Sequence, residues 1–194
     1  TTLRYQFDLT VSGNTAAQTT AAIWQIGSGF GTANAAEANS LVYARLGVNF
    51  TATPGQFELR YTPAPGNGGS VNSADFSGTQ TISWYLNHSG STVSYSAPDG
   101  STDSLADNTE DVWVGTSRAF NDLAVLTSSQ TMSDLKFAFS QGNGAIGIDN
   151  LSASTLSAAP EPADYTLVTG LGLLAFAAWR RRPSGQVRAA DAKT

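Results

Sequence analysis

"LRYQFDLTV", residues 3 to 11, alternates without a break: Leu3, Tyr5, Phe7, Leu9 and Val11 are apolar, and Arg4, Gln6, Asp8 and Thr10 are polar. Successive side chains of a β-strand point to opposite faces, so a strict period of two predicts a strand with one face buried and one wet. The same phase returns in Val42, Ala44, Leu46, Val48 and Phe50, in Phe57, Leu59 and Tyr61, in Ile82, Trp84 and Leu86, and in Leu135, Phe137 and Phe139. Between these runs lie "TPAPGNGGSVNS" (62–73), "NHSG" (87–90), "APDGSTDS" (97–104) and "SQGNG" (140–144), whose Gly, Pro, Asn, Asp and Ser are turn formers. Many short strands separated by such turns predict an all-β, antiparallel β-sandwich over residues 1–156, of jelly-roll or concanavalin-like form. "AFNDLAVL" (119–126) is the stretch closest to helical spacing in this region.

The alternation also predicts particular pairings. With "NHSG" as a hairpin loop, Leu86 faces Ser91, Trp84 faces Val93 and Ile82 faces Tyr95 on the core side. Tyr85 then falls on an open face with Thr81, Ser83, Thr92, Ser94 and Ser96. A one-residue slip would bury those hydroxyls, which pins the register. Near the end of the domain, "AIGIDNLSAS" (145–154) alternates at Ile146 and Ile148 until Asp149–Asn150 breaks the pattern, as a β-bulge would.

Composition narrows the chemistry. The 194 residues contain no cysteine and one histidine, His88, so disulfides, thiolate metal sites and two-imidazole sites are excluded. Ahead of Pro160, Arg4, Arg45, Arg60, Arg118 and Lys136 face a dozen carboxylates, and the other five basic residues lie between Arg180 and Lys193. An acidic body argues against a nucleic-acid partner, because phosphate contacts need clustered Lys and Arg. No nucleophile elbow of the G-x-S-x-G type is present. No catalytic residue is assigned, and the reading is of a non-enzyme.

Two sets of residues suit binding. Asp99, Asp103, Asp107, Glu110 and Asp111 supply oxygens of the kind calcium takes, without EF-hand spacing, and a structural calcium is the cofactor they would suit; a solvated acidic loop is the plainer alternative. Asp8 with Asp149 and Asn150 forms a second calcium candidate if the first and last strands lie side by side. Among the aromatics, Trp24, Trp84, Trp113, Tyr43 and Tyr95 sit on apolar phases and are expected in the core. Tyr85 and Tyr61 are the carbohydrate candidates, as rings beside hydroxyl and amide donors; an ordinary surface tyrosine is the alternative for each.

The chain closes differently. From Tyr165 to Trp179 it is uncharged, fifteen residues or about 22 Å of helix, followed by Arg180, Arg181 and Arg182. An apolar segment with basic residues behind it is expected to cross a membrane with its basic end in the cytoplasm. The order Pro160-Glu161-Pro162, hydrophobic segment, Arg180-Arg181-Arg182 resembles a PEP-CTERM sorting signal. Asp164 and Tyr165 are polar for the start of such a segment, and "PSGQVRAADAKT" runs on past the arginines where the family usually stops. The resemblance covers residues 160–182. It implies export, transient anchoring in the inner membrane of a Gram-negative bacterium, processing by a membrane exosortase near the Pro-Glu-Pro motif, and a setting of exopolysaccharide, biofilm or floc. The opening "TTLRYQFDLTV" suits a mature N-terminus left after signal-peptide removal. The resulting organisation is a β-sandwich ectodomain (1–156), a linker holding the Pro-Glu-Pro motif (157–162), a transmembrane sorting helix (163–179) and a basic cytoplasmic tail (180–194). The expected function is that of an exported surface or extracellular-matrix protein that associates with exopolysaccharide. A self-associating structural surface protein and a secreted glycan hydrolase are the alternatives.

Overall fold

A computed structural model of the chain describes residues 1–156. The linker, the sorting residues Pro160, Glu161, Pro162, Arg180, Arg181 and Arg182, and the proposed transmembrane helix and tail lie outside the described residues. Among the described residues, no helix is long and apolar enough to cross a membrane.

The described residues form an all-β, sandwich-like fold of antiparallel sheets. In chain order the strands are β1 (Thr2–Ser12), β2 (Gln18–Gly27), β3 (Val42–Phe50), β4 (Gln56–Tyr61), β5 (Val71–Asn72), β6 (Phe76–Ser77), β7 (Gln80–Asn87), β8 (Val93–Ser96), β9 (Thr102–Leu105), β10 (Thr109–Val114), β11 (Ser117–Ala124), β12 (Asp134–Phe139) and β13 (Ala145–Thr155). The first sheet runs β11-β10-β7-β1-β13 and the second β12-β2-β3-β4-β5, with β6 also on β4. A separate pair, β8-β9, completes the described fold.

Why these residues make these strands follows from the alternation. In β1 the buried positions are Tyr5, Phe7, Leu9 and Val11 and the intervening polar residues are half-exposed. Their apolar face meets Trp24, Leu46, Val48, Phe50, Phe57 and Leu59 of the second sheet across one continuous core. Phe7 and Trp24 mark the contact between sheets, with ring centroids 4.5 Å apart. The five tryptophans and tyrosines assigned to the core from their phase are all buried.

Three local expectations met different outcomes. The bulge at Asp149–Asn150 is present: Gln6 pairs with Ser152 and Asp8 with Asp149, so β13 holds one extra residue, and Asn150 takes a left-handed φ of 52°. The near-helical "AFNDLAVL" is mostly strand, because β11 pairs with β10 through two register shifts that break its alternation. The hairpin across "NHSG" does not form. β7 lies instead between β1 and β10, and β8 pairs with β9, Tyr95 opposite Asp103. The β8-β9 pair folds back over the outer face of the first sheet, so β7 is buried on both sides from Ile82 to Asn87.

Candidate functional site

That covering pair decides the fate of the first carbohydrate candidate. Tyr85 is 1% exposed and its ring stacks on Tyr95, centroids 4.2 Å apart. The two rings, Ala97, Leu105 and Trp113 form a small second core between β8-β9 and the sheet. Tyr85 therefore offers no open ring to a sugar: the face that looked hydroxyl-rich and wet has another layer upon it. Tyr61 is also buried, facing the inter-sheet core, and its hydroxyl donates to Ala124 O at 2.8 Å. Burial pushes the ionisation of both phenols upward.

Beneath β8-β9 lies a polar network. The Tyr95 hydroxyl is 2.6 Å from Asp111 Oδ2 and 3.2 Å from Asp103 Oδ2, and it accepts from Trp113 Nε1 at 3.0 Å. One phenolic proton serves one short bond, and Asp111, fully buried, receives it. Asp111 Oδ1 accepts from the Asp122 N–H at 2.6 Å. Burial, the larger influence, raises the Asp111 carboxyl above its ordinary range despite these bonds. Asp103 is balanced by Arg118, whose guanidinium also covers the Trp113 ring at 4.7 Å. The network ties β8-β9 to β10 and β11 and leaves no free donor set.

The proposed calcium ligands on this segment are distributed rather than gathered. Asp99 closes its own turn on Ser101 N–H and Oγ. Asp107 accepts from Gly90 N–H and Asn108 Nδ2. Asp103 belongs to β9, and Glu110 and Asp111 to β10, where strand alternation sends neighbouring side chains to opposite faces. Among the described residues, no three His, Asp or Glu side chains converge in a way that could hold a metal ion. The second candidate fares differently in placement. Asp8 and Asp149 do stand directly opposite each other on β1 and β13. Asp8 is already engaged, accepting from Thr81 Oγ1 at 2.6 Å and Asn150 Nδ2 at 2.7 Å, and these bonds hold its carboxyl below the usual range.

An open polar cleft of about 230 Å³ lies on the outer face of the second sheet, lined by Gln18, Asn49, Glu58, Asn72 and Asp75. Asn49 and Glu58 are register partners on β3 and β4, with Asn49 Nδ2 donating to Glu58 Oε2 at 3.2 Å. Asn49 Oδ1 accepts from the Thr20 N–H at 2.8 Å. Thr20 sits in a double-residue bulge of β2, where Gln18 pairs with Phe50 but Ala22 with Val48, and its φ is 51°. A β-branched residue with positive φ is rare and is held there by its surroundings. Asn72 Oδ1 accepts from Arg60 Nη1 at 3.3 Å. The Glu58 and Asp75 carboxylates and the Gln18 and Asn72 amides can accept from and donate to a polyhydroxylated ligand, while buried Asn49 holds Glu58 and the Thr20 bulge in place.

Sequence reasoning passed over these residues. Asn49 and Glu58 occupy the polar phase between Val48 and Phe50 and between Phe57 and Leu59, so their outward direction was readable. Their meeting depends on the β3/β4 register, and Asn72 of β5 and Asp75 just after it belong to a segment whose return to β4 is not encoded in any local period. One more carboxyl was misplaced. Glu110 is 2% exposed and faces the inter-sheet core, accepting from Trp84 Nε1 at 2.7 Å. Burial pushes it up to about 8, with Asp111 adding to the rise and the Trp84 bond and Arg45 opposing it.

No family model matches the chain, and neither a curated protein nor a solved structure does so.

Proposed function

We propose that this is an exported, non-enzymatic surface protein, sorted by a C-terminal PEP-CTERM-type signal through an exosortase and associating with exopolysaccharide. The wound path supports a jelly-roll reading of the sandwich: β1 and β2 cross between sheets while β12 and β13 cross back beside them. The observation that carries the glycan reading is the polar cleft of Gln18, Asn49, Glu58, Asn72 and Asp75. It replaces Tyr85 and Tyr61 as the contact surface. Sugar hydroxyls donate to carboxylates and exchange hydrogen bonds with amides, whereas an anionic polymer would meet Glu58 and Asp75 unfavourably. The ligand class is therefore a neutral or amine-bearing polysaccharide.

Co-sedimentation of the full chain with the host's exopolysaccharide, in calcium and in EDTA, tests this. Saturable pelleting that falls at least about tenfold in affinity in the double variant Asn72→Ala/Asp75→Ala is the expected result, since two lost hydrogen bonds to a charged or amide group are worth roughly 1.5 kcal/mol or more. Loss on chelation would bring Asp8 and Asp149 into the site. Pelleting indifferent to the double variant, or none at all, overturns the assignment.

A further inference from the structure

The edges of the two sheets are guarded unequally. Edge strands expose unpaired N–H and C=O groups, and soluble proteins blunt them with charge, proline, bulges or brevity. At one end of the first sheet, β11 carries Arg118 and Asp122 and two register shifts. In the second sheet β5 and β6 have two residues each. The other edge, β12, holds Asp134 and Lys136, and the Asn34 side chain donates to Phe139 O at 2.9 Å and accepts from Phe139 N–H at 3.2 Å.

β13 differs from all of these. It is eleven residues long, with Asp149 its single charge and no proline; its one bulge, at Asp149–Asn150, leaves Ser152–Thr155 in unbroken register with β1, and every residue from Asp149 to Thr155 is exposed. Leu151 is 49% exposed, one of two large apolar side chains so placed among the described residues. Beside it the flank of the sandwich is open. Phe137 and Phe139 of β12 and Ala145 and Ile146 of β13 line an apolar cleft of about 260 Å³, and Leu135, Phe137, Phe139, Ile146 and Ile148 are only partly buried.

We propose that β13 is the seam of a two-fold pairing between two copies of this chain. An antiparallel β13-β13 contact continues the first sheet from one copy into the other and leaves one apolar cleft at each end of the seam. Charge selects a second copy at this place: the body is acidic, so most of its surface repels itself, while β13 carries one carboxylate along its length. With the two-fold axis at Leu151, the two leucines oppose each other and Asp149 faces Ala153 of the second copy. The two Asp149 side chains are then about 13 Å apart along the strands, beyond the roughly 8–10 Å screening length at moderate salt. With this axis residues 147–155 of the two strands overlap over about 30 Å, and across a two-sheet flank about 20 Å deep they cover roughly 600 Å² per copy, at the lower end of the size of specific stable interfaces.

The chain has no cysteine, which makes the seam directly testable in the full chain. Directly opposed residues of an antiparallel pair have Cα atoms about 4.5–5.5 Å apart, within disulfide range. Leu151→Cys is expected to cross-link into dimers at least about tenfold faster than Ser117→Cys on the opposite edge, given that proximity. In sedimentation velocity, Leu151→Lys is expected to weaken dimerisation roughly tenfold or more, with the circular dichroism spectrum unchanged. A monomer at all concentrations, equal cross-linking at both edges, or association indifferent to Leu151→Lys (as association through another surface or through the C-terminal run would be) overturns the proposal.

Discussion

Replacing Glu110 by glutamine should make the protein more stable at alkaline pH and leave it nearly unchanged in mild acid. The carboxyl is enclosed between the sheets, accepts from Trp84 Nε1, and is pushed up from its ordinary 4.5 to about 8 chiefly by burial. In that interval the folded chain holds a proton that the unfolded chain releases. Stability from this group is therefore unaffected below about pH 4.5, declines as pH rises toward about 8, and stays at its lower level above that. Each pH unit of separation is worth about 1.4 kcal/mol, so the whole interval amounts to about 5 kcal/mol as a ceiling. Glutamine keeps an oxygen for Trp84 and has no proton to lose. Urea unfolding followed by tryptophan fluorescence, from about pH 5 to about pH 9, measures both proteins by linear extrapolation. The expected signature is a gap that opens with pH to several kcal/mol in favour of Glu110→Gln. A gap that is flat, with the variant weaker throughout, would mean that the carboxylate is ionised in the fold and held by Arg45, and the reasoning from burial would fail.

Two further perturbations probe how the loops are held. Asn14 is fully buried, donating to Thr51 O at 3.0 Å and Thr53 O at 2.9 Å and accepting from Gly55 N–H at 2.6 Å. Asn14→Ala orphans those groups and should cost about 2–4 kcal/mol in urea unfolding; a loss below about 0.5 kcal/mol, as for an ordinary surface change, would show that water replaces the amide without penalty. At Gly27 an added Cβ would lie 2.0 Å from Leu41 O, a backbone atom that also accepts from Ser28 N–H. Gly27→Ala is expected to lower stability by about 1–3 kcal/mol, as overpacking does, and a neutral result in thermal melts would show that the 28–41 connection shifts freely.

Much of the fold was legible because its signal is local. The period of two in β1, β3, β4, β7 and β12 assigns each side chain a face from its neighbours alone, and the inter-sheet core follows the apolar phase from Tyr5 to Phe139. The interruption at Asp149–Asn150 was equally readable, since a bulge is a fault in one strand's own rhythm. The stretch at 119–126, the closest to helical spacing, is mostly strand as the all-β reading expects, and the shifts of β11 against β10 account for its blurred period.

Partners across space follow another rule. Loop length and turn chemistry at "NHSG" suit a hairpin, yet β7 pairs with β1 and β10, because burying Ile82, Trp84 and Leu86 requires strands on both sides and a second sheet above. Once β8 is released, it finds β9 and covers the polar phase of β7, so Tyr85 stacks on Tyr95 instead of facing water. Glu110 and Asp111, adjacent in the chain, are sent to different cores by strand alternation, and the five cleft residues are assembled from β2, β3, β4, β5 and the turn that follows it. Alternation along the chain says which way a side chain points. What it points at is set by contacts between segments distant in sequence, and those are selected by the burial that the complete set of strands achieves together.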